Sequence, residues 1–178
     1  MHRNPLLAKL KRHLPIDQHE HSMLERILNF VKENPNCFDR TLLIGHITGS
    51  AFIVNKKKTH TLMTHHQKLD KWLQLGGHSD EDPNTLNVAL REALEESGLK
   101  NIMPISEDIF DVDVHEIPAR KNEPTHYHYD IRFLFEADDT EKLIITNESN
   151  DLRWIPLEQM KNYTNEESVL RMVRKIMH

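Results

Sequence analysis

The chain has 178 residues, with 23 Lys and Arg against 28 Asp and Glu, for a formal net charge of −5. That length suits one globular domain with a short appendage, and the acidic balance excludes a protein that grips a nucleic-acid backbone with a basic stripe. Hydrophobic residues at 38% and charged residues at 29% supply a core and exclude a disordered chain.

Residues 6–14 predict a short basic helix ahead of Pro15. Lys9, Lys11 and Arg12 break its apolar run, so it does not read as a secretory signal. Asp17 is placed to cap a second helix reaching about Glu33, with Met23, Ile27, Leu28 and Val31 at helical spacing, until Pro35 and Asn36 stop it. Together these define an N-terminal helical extension over residues 1–39, whose basic residues form a solvated face and whose surface is available to a homodimer. The single cysteine, Cys37, cannot close an internal disulfide and fits a reducing compartment. Apolar runs such as Ala51-Phe52-Ile53-Val54 fall far below the roughly 20 residues that span a bilayer. The expectation is a cytoplasmic protein with no membrane or nucleic-acid partner.

From residue 42 the pattern turns to β. Residues 42–54 are rich in Ile, Thr, Phe and Val, and 60–65 form a hairpin partner across the turn Asn55-Lys56-Lys57-Lys58. The approach Trp72-Leu73-Gln74-Leu75-Gly76-Gly77 leads into an amphipathic helix over 84–97, with Gly98 as its C-terminal glycine. Asp82 reads as the N-cap and Pro83 as the first helical residue. Strand patterns return at 109–117, 126–136 and 152–155, and helical ones at 157–161 and 166–177. This mixture of helices and hairpins predicts an α+β layered domain over residues 40–178.

On a helical wheel, Leu86, Ala89, Leu90, Ala93 and Leu94 form the stripe expected to be buried, while Glu92, Glu95 and Glu96 gather on another face. Clustered carboxylates repel one another by a few tenths of a kcal/mol per pair on an exposed helix. Solvent and Arg91 are one offset; a divalent cation, for which carboxylate oxygens are suited ligands, is the other. The double glycine just before favours the cation, because it lets backbone approach an ion closely.

The run from Gly77, through five residues to Pro83, seven more, then Arg91-Glu92-Ala93-Leu94-Glu95-Glu96-Ser97-Gly98-Leu99, resembles the signature box of the Nudix hydrolase family. It agrees at every fixed position but one, where Pro83 replaces the first glutamate. The resemblance implies an α/β/α sandwich with a mixed β-sheet, and a Mg²⁺ or Mn²⁺ ion held by Glu92, Glu95, Glu96 and the Gly77 carbonyl. Arg91 would hold the glutamates in place. Such an ion neutralises phosphate oxygens and lowers the pKa of a bound water, and a carboxylate completes the deprotonation. Glu92 is the first choice of base, with Glu148 in a later loop as the other candidate. The implied activity is cleavage of a nucleoside diphosphate linked to another group, a small-molecule substrate. Because Pro83 can neither ligate nor take a proton, the alternative is a weak or inactive module that binds a nucleotide-type ligand, unless Asp80, Glu81 or Asp82 supplies the carboxylate.

The strand over 126–136 alternates, with Tyr127, Tyr129, Ile131, Phe133 and Phe135 on one face and His126, His128, Asp130 and Arg132 on the other. His115 approaches this polar row if residues 109–117 pair with it. Three readings stand side by side: a substrate-binding wall of His126, His128, Asp130 and Arg132 joined by His78, a structural hydrogen-bond row, or a second metal site of zinc-like ligands.

Overall fold

The structure, a computed structural model, describes residues 2–120 and 123–178. Two helices open it, α1 (Asn4–Arg12) and α2 (Gln18–Glu33), and the Asp17 carboxylate accepts the Glu20 amide to cap the second. Next come β1 (Gly45–Asn55), β2 (His60–His66), β3 (Lys71–Leu73), β4 (Leu75–His78) and helix α3 (Thr85–Ser97). They are followed by β5 (Ile102–Pro104), β6 (Asp111–Ile117), β7 (His126–Ala137) and β8 (Ser149–Pro156), then a 3₁₀ segment (Leu157–Asn162) and α4 (Glu167–Met177).

The strands form one mixed sheet with the path β3-β2-β1-β7-β5; β4 adds to β1, β6 to β7 and β8 to β2. Among the described residues only β1 and β7 run parallel, over their full shared length. One edge of β1 serves two partners, β4 along Thr48 to Ala51 and β2 at Ile53 and Val54. Every residue of β1 is buried, as a strand covered on both faces must be. Its alternation divides the core: Ala51 and Ile53 join a cluster with α1, α2 and α3, whereas Phe52 and Val54 join one beneath α4. Helices therefore cover both faces of a curled sheet, the predicted sandwich. The N-terminal extension packs into the same core through Leu6, Leu10, Ile27, Phe30 and Val31, and Phe30 stacks on Tyr129 of β7 with ring centroids 3.8 Å apart. No helix among the described residues is long and apolar enough to cross a membrane.

Two details of α3 depart from the sequence reading. The N-cap is Asn84, which accepts the Asn87 amide, while Asp82 stands outside the helix and accepts the Asn84 amide. Pro83 thus precedes the cap. The buried residues are Thr85, Val88, Ala89, Ala93 and Ser97, with Leu86, Leu90 and Leu94 only half-buried. Gly49 on β1 explains the rotation: a Cβ there would stand 2.7 Å from the Thr85 carbonyl oxygen and 3.1 Å from the Ala89 nitrogen. Helix and strand backbones meet too closely for leucines to fit between them. Leu90 and Leu94 instead line an open groove of about 360 Å³ with Asn87, Arg91 and Glu95.

The polar row of β7 is buried as well. Asp130 is 1% exposed and Arg132 2%. The Asp130 carboxylate accepts from Thr48, Ser50, Gln74 and Arg132 at 2.9, 2.7, 3.2 and 2.8 Å. Arg132 also reaches Asp111 and Asp113 on β6, and Asp111 in turn takes a bidentate contact from the fully buried Arg171 of α4. Lys175 bridges Asp111 to Glu20 of α2. These bonds form one charged network through the sheet, so Asp130 and Arg132 are internal struts: of the readings of this row, the structural one holds for them and the substrate wall does not. Nothing in a strand's own alternation reveals that its polar face will be covered.

Glu20 is fully buried, yet its carboxyl is held down to about 2; burial opposes ionisation, but hydrogen bonds from His13, Lys175 and the Ile16 amide outweigh it. Because the folded value lies below that of the unfolded chain, this stabilisation is complete above about pH 4.5 and disappears as pH falls through about 2. Glu20→Gln should therefore cost roughly 2–3 kcal/mol at pH 7. In urea unfolding, the gap between wild type and variant should close progressively below about pH 4.5.

Candidate functional site

Three carboxylates rise along α3 beside the Gly76-Gly77 segment of β4. Glu92 is half-buried against Gly77, where any Cβ would collide with its carboxylate. The absent side chain is what lets a glutamate lie across the strand. Arg91 fixes the arrangement, donating from Nη2 to Glu92 Oε1 at 2.9 Å and to the His78 carbonyl at 2.8 Å. Glu96 accepts the Gly76 amide at 3.3 Å, and Glu95 is exposed at the open side. Helix, glycine turn and arginine together make a ridge of hard oxygen donors.

The charges on this ridge are only partly compensated, by Arg91 at Glu92 and the Gly76 amide at Glu96. Burial pushes the Glu96 carboxyl up to about 8, and Glu92, Glu148 and Glu95 push the same way against the single Gly76 amide. Glu92 is also raised, again mainly by burial; its bond to Arg91 opposes the shift, and Glu95 and Asp80 add to it. Glu148 is exposed on the loop before β8, whose backbone is pinned by the Gln67 amide, and its charge is felt at Glu96. Two of the three carboxylates near Pro83 are engaged elsewhere. Asp80, at φ 50, is held by Arg40 through two 2.5 Å bonds, and Asp82 serves the Asn84 amide.

At the far end of β4 lies an imidazole nest. The parallel register sets His46 of β1 beside His128 of β7, and β4 brings His78 opposite Thr48. Ring centroids of His46, His78 and His128 are 4.8–5.1 Å apart. His126 is 5.2 Å from His46, with Nδ1 bonded to the Pro124 carbonyl. His115 does pair across from His128, as the strand pattern anticipated. Burial is the main cause that drives His46 down to about 4 and lowers His78 and His128. Sequence reading missed His46, which stands alone in an apolar strand and meets the other histidines only through the parallel pairing.

Residues 46–175 match the sequence profile of the NUDIX domain. The chain belongs to the Nudix hydrolase family. Its activity class is hydrolysis of phosphoric anhydride bonds, and Nudix proteins typically use divalent metals. No curated protein sequence matches significantly. Among solved structures, the Nudix fold recurs in an Ap4A hydrolase from C. elegans, which is 16% identical with a TM-score of 0.59 over 74% of this chain and 94% of that one. A dihydroneopterin triphosphate pyrophosphohydrolase from E. coli is 14% identical with a TM-score of 0.55 over 72% and 92%. A Nudix hydrolase from M. smegmatis is 16% identical with a TM-score of 0.53 over 73% and 83%.

The structure brings Gly77, Arg91, Glu92, Glu95 and Glu96 of the Nudix box together, sets Glu148 within electrostatic reach, and gathers His78, His126 and His128 in the nest. The box helix carries a titration signature. Glu96 ionises in the unfolded chain near its ordinary value but in the folded protein only near 8, so its contribution favours folding below about pH 4.5 and is lost as pH rises through about 8. In metal-free buffer, Glu96→Gln should gain thermal stability relative to wild type across that window and hold a constant lead above it.

Proposed function

We propose that this Nudix protein is a Mg²⁺- or Mn²⁺-dependent pyrophosphohydrolase that cleaves a nucleoside diphosphate linked to another group. The observation that carries this reading is the ridge itself: two half-buried carboxylates and one exposed one beside the Gly76-Gly77 segment, with Arg91 and the Gly76 amide as their donors. The fit of the donor set supports a hard divalent cation. All the side-chain ligands are oxygens, which suit Mg²⁺ and Mn²⁺, and the raised Glu96 carboxyl marks a place where added positive charge would be stabilising. Glu92, Glu95, Glu96 and the Gly77 carbonyl would hold the ion. When bound, it supplies Lewis acidity toward phosphate oxygens and lowers the pKa of water.

The chain's own groups do the rest. Arg91, committed to Glu92 and the His78 carbonyl, positions the ridge instead of reaching for substrate. Glu92 accepts the proton of the attacking water; its raised pKa brings it closer to the working range of a general base. Exposed Glu148 is the second carboxylate from outside the box and the alternative base. The Pro83 position need not be filled for this, because it lies before the helix cap and the ridge is held by Arg91 and the glycine turn.

A panel of nucleotide sugars, dinucleoside polyphosphates, coenzyme A, ADP-ribose and oxidised nucleotides, assayed by product mass with Mg²⁺, Mn²⁺ or chelator, tests the proposal. Turnover should require the cation. Glu92→Gln and Glu96→Gln should each reduce kcat by about 100-fold or more, while circular dichroism stays native. Near wild-type rates in both variants would overturn the assignment, as would saturable binding without product in the wild type.

A further inference from the structure

We propose that His46, His78 and His128 form a binding site for a zinc-class divalent cation, distinct from the glutamate ridge and beyond the hydrolase reading. One ring nitrogen from each residue lies within 4.8 Å of the others. Three strands supply them, so their Cα positions are fixed by the pairings of β1 with β7 and with β4. His46 is 3% exposed, and neither of its ring nitrogens has a hydrogen-bond partner; His128 Nε2 is also buried and unpartnered. A buried polar atom left unsatisfied costs about 1–3 kcal/mol, and such groups in a native protein call for an explanation. A shared ion, taking one nitrogen from each ring, would satisfy one of the His46 nitrogens and His128 Nε2 together.

The chemistry selects the ion. Each neutral imidazole offers a lone pair and no negative charge, a donor set that suits Zn²⁺ or its transition-metal neighbours and is poor for Mg²⁺. Tetrahedral zinc with bonds of about 2.0–2.1 Å sets its ligand nitrogens about 3.3 Å apart, so the nest would contract by about 1.5 Å at its widest, within reach of side-chain rotation. Three histidines leave a fourth position. The His126 Nδ1 bond to the Pro124 carbonyl leaves Nε2 with its lone pair, which makes His126 the candidate for it. His78 directly follows Gly77, so a cation here would place positive charge beside the box of an acidic protein.

The test is zinc binding by the full chain in excess Mg²⁺, which occupies the oxygen ridge. Wild type should retain one Zn²⁺ per chain after dialysis, and X-ray absorption should show a nitrogen shell with the outer-shell scattering of imidazole rings. His46→Asn and His128→Asn should each weaken binding by about 100-fold, whereas the Glu92→Gln, Glu96→Gln double variant should bind Zn²⁺ as wild type does. No retained zinc, an all-oxygen shell, or affinity unchanged in both histidine variants would overturn the proposal. The absorption spectrum needs no variant and decides the matter even if a substitution prevents folding. Failure here leaves Mg²⁺-dependent turnover untouched, so it cannot be confused with failure of the hydrolase reading.

Discussion

The buried pair Asp130–Arg132 is the constraint from which the rest of the molecule hangs. Charges so deep are tolerated only with full hydrogen bonding, since removing one partner leaves an uncompensated ion. Asp130 has four donors, two from β1, one from Gln74 before β4, and Arg132 itself. One carboxylate therefore holds the parallel β1–β7 pair in register and anchors the segment that delivers the double glycine. From Arg132 the network passes to Asp111, which pairs with both Arg171 and Lys175, and Lys175 carries it on to Glu20. The sheet, the C-terminal helix and the N-terminal extension are thus bound by one chain of ions as well as by a shared apolar core.

That coupling bears on what the N-terminal helices are for. Helix α2 lies on the face of the sheet carrying Tyr129, and its Glu20 meets a lysine from the far end of the chain. A mere appendage would leave these groups unsatisfied when detached. The extension shares both the apolar core and the charged network of the sheet.

Much of this was legible in the residues. The box helix, its Gly98 terminus at φ 69, the Asp17 cap and the β1–β2 hairpin all follow from local chemistry that repeats wherever those residues occur. What stayed hidden depended on distant partners. Asp111 and Arg171 are separated by sixty positions and have no local pattern between them. His46 lies in an apolar run, and only parallel pairing turns it into the centre of a nest. The rotation of α3's buried face follows from Gly49, a strand residue, so no helical wheel drawn on α3 alone predicts which leucines remain outside. The three-residue β5 is too short to have a period at all.

Two neighbouring residues of β4 show how one short strand can separate two kinds of donor. At Gly77 the strand presents a missing side chain, and a carboxylate fills the gap; one residue later, His78 turns its carbonyl to Arg91 and its ring to the imidazoles. The first environment gathers carboxyl groups, and burial, with neighbouring carboxylates adding to it, raises Glu92 and Glu96. The second excludes charge of either sign, since burial holds its rings neutral. A hard cation gains most from the first, where unbalanced carboxylates repel one another until something positive arrives. A softer one gains most from the second, where neutral nitrogens lack donors. Ligand chemistry, and not overall field, is what would sort ions between these two environments, which a chain with net charge −5 keeps side by side.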